Sequence, residues 1–88
     1  MSVTTKARPK DVTARRPVYW MSDAPDYCQV TRRAIDGEFV DGVVPSFSGA
    51  MWACWHPQEF TKRGGKYGTG SGQLFTLQAD GRWLKTRG

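Results

Sequence analysis

Apolar side chains occur along this chain in short clusters, each cut off by glycine, proline or a short acidic residue. Val18-Tyr-Trp-Met21 reads as a first short strand. Asp23-Ala-Pro-Asp26 behind it has turn chemistry, with short acceptor side chains around a proline. Tyr27 to Thr31 is expected to fold as a tight knuckle. Arg33-Ala-Ile35 leads into Asp36-Gly37, a strong hairpin signal, and Glu38-Phe-Val40 answers it. Asp41-Gly42 repeats the signal, after which Val43 and Val44 continue the sheet until Pro45. Met51 to Trp55 is strand-like and aromatic-rich, and Pro57, suited to a first helical position, predicts a short helical turn through Phe60. Gly64 to Gly72 is a glycine loop, and Gln73–Leu77 and Arg82–Lys85 pair around Ala79-Asp-Gly81 as a closing hairpin. The pattern predicts a mostly β module of short antiparallel hairpins over residues 18–88, with no long helix and no internal repeat.

Residues 1–17 break this pattern. Val3 and Val12 are their only sizeable apolar side chains, too few for a core, so an extended arm is expected. Pro9 and Pro17 favour extended backbone before them. Charge divides at the same boundary. The arm holds Lys6, Arg8, Lys10, Arg15 and Arg16 against Asp11, a net +4 of the chain's +5, so the module itself is nearly neutral. Such an arm suits an anionic surface, either nucleic acid or an acidic groove on another protein.

Composition narrows the class further. Eighty-eight residues make one small domain, and four Trp, four Phe and three Tyr supply the large side chains of one core. No apolar run has membrane-spanning length, and no apolar segment follows the N-terminal charges as in a signal peptide. A cytoplasmic protein, or one assembled from cytoplasm, is expected, with no membrane partner. In that compartment Cys28 and Cys54 are expected as free thiols, a mutual disulfide being the alternative.

The motifs from Val18-Tyr-Trp20 onward, through Cys28, Phe39-Val-Asp-Gly42, Trp52-Ala53, Pro57, Tyr67-Gly-Thr-Gly-Ser-Gly-Gln73 and Asp80-Gly-Arg-Trp-Leu-Lys85, resemble those of a family of small bacteriophage-encoded proteins that look like zinc ribbons. The resemblance covers residues 18–88 and implies a zinc-ribbon-like fold and a phage setting. The family pattern has a C-x-x-C knuckle and a C-P-x-C knuckle. At those positions this chain has Cys28 and Thr31, then His56 and Glu59. Threonine is a poor zinc ligand, and structural zinc is ordinarily closed by four Cys or His ligands. A ribbon without cofactor is therefore expected, its knuckle space filled by side chains such as Trp55 and Phe60. Zinc held by Cys28, His56 and Glu59, or by Cys54 if the register shifts, is the alternative.

Other chemistry finds less support. A P-loop needs Gly-Lys followed by Ser or Thr at the start of a helix, whereas Gly65-Lys66 precedes Tyr67. The glycine loop is expected as a connector, with Lys62, Arg63 and Lys66 beside it able to meet an anion or a partner's backbone. Trp20, Phe39, Trp52, Phe75 and Trp83 fall in predicted strands and are expected mostly in the core. Trp55 with Arg32, Arg33 and Lys62 offers an alternative base-stacking surface. Cys54-x-His56 could share a strand face, but no set of residues with assignable catalytic roles is present, and an enzyme is not expected.

The expected function is a non-enzymatic phage interaction protein. It would be a minor virion subunit, capsid-associated or cementing, that docks on other phage structural proteins by its β module and basic arm. The partner-binding residues would be Lys6, Arg8, Lys10, Arg15, Arg16, Lys62, Arg63 and Lys66. A nucleic-acid-binding ribbon and a phage-encoded inhibitor of a host protein are the alternatives.

Overall fold

The computed structural model describes residues 17–88, so the arm residues Lys6, Arg8, Lys10, Arg15 and Arg16 lie outside the described residues. The module is mostly β: strands β1 (Glu38–Ser46), β2 (Gly49–Trp55), β3 (Gly72–Leu77) and β4 (Trp83–Arg87), with one short helix among the described residues, α1 (Pro57–Lys62). All pairings are antiparallel, in the order β2-β1-β3-β4. No helix among the described residues is long and apolar enough to cross a membrane.

β1 is a single long strand, where the sequence predicted interruptions. Asp36-Gly37 makes a bend rather than a hairpin, and Ala34 forms only an isolated bridge with Tyr27. Asp41-Gly42 lies inside β1, paired with Cys54 and Ala53 on one side and with Gln73 and Gly72 on the other. The reason is space. A Cβ on Gly42 would stand 2.6 Å from the Phe60 ring and 2.9 Å from the Ser71 carbonyl oxygen. Gly42 is a clearance for Phe60, not a turn residue. Pro45 is tolerated inside the strand for a related reason. Val43 N–H points toward β3, donating to the Ser71 carbonyl at 2.8 Å, so the nitrogen of Pro45, two residues on, faces the same side. β3 registers only as far as Gly42, so the missing N–H leaves no ladder partner stranded.

The closing hairpin forms where its turn chemistry places it. Gly81 N–H donates to the Gln78 carbonyl and Gln78 N–H to the Arg82 carbonyl, with Gly81 at φ +87°. This is the three-residue loop with a left-handed glycine. Asp80 supports it by accepting from Arg82 N–H at 2.9 Å and from Arg82 Nε at 3.0 Å, and these bonds hold its carboxyl below the usual range.

The strand period sends side chains to two faces. On one, Phe39 packs with Phe75, Trp20 and Trp83, with ring centroids 5.1 to 5.4 Å apart. On the other, Val40, Val44, Ala53 and Trp55 pack with Cys28 from the knuckle segment and Phe60 from α1. Six residues of helix have no stability of their own, so α1 depends on this packing. Its start is fixed by His56, whose Nδ1 accepts from Gln58 N–H at 3.1 Å, and by Pro57 in the first turn.

Candidate interaction surface

The knuckle segment that would offer metal ligands is tied up in other bonds. Cys28 N–H donates to the Arg33 carbonyl, Arg32 N–H donates to the Cys28 carbonyl, and Arg32 takes φ +65° to close the turn. Burial raises the Cys28 thiol. The Thr31 hydroxyl and the backbone donors of Thr31, His56 and Val30 act the other way, and the net position is below the ordinary thiol value. His56 Nδ1 is engaged as a helix cap, and Glu59 pairs with Arg33 at 3.4 Å. Among the described residues no group of three or more His, Cys, Asp or Glu side chains is placed to hold a metal ion. Trp55 and Phe60 lie in the core cluster with Cys28. Both cysteines are free thiols; burial, then the charges of Asp41 and Cys28, pushes Cys54 up to about 11.

The base-stacking alternative loses its platform. Trp55 is fully buried, its Nε1 donating to the Gly42 carbonyl at 2.9 Å. The guanidinium that lies over its ring, 5.9 Å from the centroid, is that of Arg63. Of the predicted partner-binding residues, Lys62 stands in the last turn of α1 and Arg63 caps it. Lys66 lines a recess of about 390 Å³ with Thr61, Gly65, Tyr67 and Arg87. Arg87, absent from the predicted set, stacks over Tyr67 at 4.2 Å and joins this basic patch from β4. The ion pairs among the described residues join Arg33 to Glu59 and Arg82 to Asp80, which leaves Lys62, Arg63, Lys66 and Arg87 without a carboxylate partner there.

The two sheet edges differ. Beyond β4, Val18 accepts from Lys85 N–H and Trp20 N–H donates to the Trp83 carbonyl, so the segment around Tyr19 meets that edge in one isolated bridge to Leu84. Beyond β2, only one position is covered by the described residues. Gln29 N–H donates to the Cys54 carbonyl at 3.0 Å, and Gln29 Oε1 accepts from Cys54 N–H at 2.7 Å. Cys54 therefore points its backbone groups outward, and by the strand period so do Trp52 and Ala50. No described backbone group meets theirs. Gly49, Ala50, Met51 and Trp52 are all exposed, and Phe47 at the hairpin tip is fully so. Trp52, expected in the core, is 54% exposed; its Nε1 donates to Asp41 Oδ1 on β1 at 2.8 Å, which tethers the indole to the neighbouring strand. The sequence reading missed this surface. Its signal is that Gly49–Trp55 contains no charged residue, although an edge strand ordinarily carries one.

No protein-family model, curated protein or solved structure matches the chain.

Proposed function

We propose that this protein is a non-enzymatic interaction module that docks on other proteins through the open β2 edge and the apolar β1–β2 hairpin, assisted by its basic arm. The observation that carries this reading is the conjunction of outward-facing amides at Ala50 and Trp52 with exposed Phe47, Met51 and Trp52 on a charge-free strand. A strand from a partner adds to such an edge by main-chain hydrogen bonds, while adjacent apolar side chains supply specificity. A soluble protein that keeps such an edge bare invites aggregation. A dedicated occupant is the economical reading.

The motif resemblance supports a partner in a phage particle, with the protein a minor capsid-associated or cementing subunit. Mass spectrometry of purified particles tests it. The expected result is a defined copy number per particle, lost in a Phe47→Ser, Trp52→Lys variant. Absence from particles overturns the virion assignment. Nucleic-acid binding is the second reading, favoured by Lys66 and Arg87 beside Tyr67 and by Lys62 and Arg63 at the end of α1, all without a carboxylate partner among the described residues. Binding to single-stranded DNA or RNA should fall with salt, by about 0.7 in log affinity per log salt for each phosphate neutralised. If Lys62→Ala, Arg63→Ala, Lys66→Ala retains nucleic acid as well as the native protein does, that patch is not the site.

A further inference from the structure

We infer that the first occupant of the β2 edge is a second copy of this chain, paired antiparallel about a two-fold axis within Gly49–Trp52. The inference rests on the docking reading above and names its partner.

Three features point to self-pairing. The strand carries no charge, so bringing two copies together opposes no like charges, although the whole chain carries a formal +5. Gln29 covers the edge at Cys54 and the chain turns away at Phe47-Ser48, so only the short stretch from Gly49 to Trp52 is available. That length suits a compact two-fold ladder better than a long foreign strand. The stretch is also complementary to itself. An axis at Met51 makes Ala50 and Trp52 of one copy a hydrogen-bonding pair with Trp52 and Ala50 of the other. The small Ala50 then faces the large indole, which Asp41 already tethers by a hydrogen bond. The two Met51 side chains meet at the axis, where their flexibility fills the gap.

The assembly stops at two. At the far edge of each sheet, β4 is met by Val18 and Trp20 through their bonds to Lys85 and Trp83. Two four-stranded sheets thereby join into one continuous sheet whose outer strands are the two copies of β4.

The test uses the full chain and two variants. Ala50→Pro deletes an N–H that no contact within the described chain uses, and sets the proline ring where the second copy would approach. Trp52→Lys places a charge on the axis side while keeping a group able to reach Asp41. Sedimentation equilibrium should give the native chain twice its 9.9 kDa mass. That mass should persist in about 1 M salt, where the screening length falls to about 3 Å. Both variants should sediment as monomers with unchanged circular dichroism. A native monomer at high micromolar concentration overturns the inference, as does a folded variant that remains dimeric. Should Ala50→Pro unfold, Trp52→Lys decides alone. A native monomer that still accompanies particles overturns self-pairing and leaves the docking reading standing. A dimer absent from particles does the reverse.

Discussion

Phe60 shows how a single side chain decides the identity of residues distant in sequence. Its ring fills the space that a Cβ would need at Gly42, Gly65 and Gly72, at 2.6, 2.4 and 2.5 Å respectively. Gly42→Ala is expected to destabilise the protein by about 1–3 kcal/mol through overpacking. The thermal midpoint measures the loss, and Phe60→Leu in the same chain should recover part of it. The sequence could not reveal this. Asp41-Gly42 and Asp80-Gly81 are the same dipeptide, and only the second turns; the difference lies in a ring eighteen residues downstream of Gly42. A second consequence at this scale is pH dependence. Cys54 keeps its proton in the folded state up to about 11, above the ordinary thiol value of 9.0. Between those values the folded state binds more protons than the unfolded one, so stability falls as pH rises through the window. Unfolding in denaturant at several pH values should show a shallower decline for Cys54→Ala than for the native chain.

The elements were legible where local chemistry alone sets them. The Ala79-Asp-Gly81 loop, the proline-initiated α1 and the β2 strand stand within a few residues of their predicted positions. β1 was misread because its interruptions, Asp41-Gly42 and Pro45, are permitted by neighbours far along the chain: Phe60 at one and the early end of β3 at the other. The short helix gives the sharpest energetic expectation. Phe60→Ala should cost about 3–5 kcal/mol, the usual range for a buried aromatic, and should melt α1 along with the core. Hydrogen exchange maps the rest of the sheet. The central amides of Val40, Gly42 and Val44, flanked by β2, should exchange most slowly. The outward amides of Ala50 and Trp52 should exchange fast in a dilute monomer and become protected as concentration rises. Equal, fast exchange at all concentrations would contradict any edge pairing.

At the scale of the molecule, the class was readable and the arrangement was not. Composition and turn spacing predicted a small, mostly β module. The strand order β2-β1-β3-β4, and hence which edge is bare, depends on contacts between segments that no local pattern encodes. The candidate surface followed the same division. Lys62, Arg63 and Lys66 were visible as a basic run beside a glycine loop, whereas Arg87 joined them only because β4 returns to Tyr67. Trp20 ties the module to the start of the chain. Trp20→Ala, removing a half-buried ring from the Phe39, Phe75 cluster, should lower stability by about 2–3 kcal/mol, less than for full burial. It should also loosen the pairing of Val18 with Lys85, observable as faster exchange of the Lys85 amide. That pairing carries a consequence for synthesis. The segment at residues 18–20 leans on β4, some sixty-five residues later in the chain, so a nascent chain cannot complete this sheet until β4 has left the ribosome. A message that ends before Trp83 would yield a product whose Trp20 has nowhere to dock.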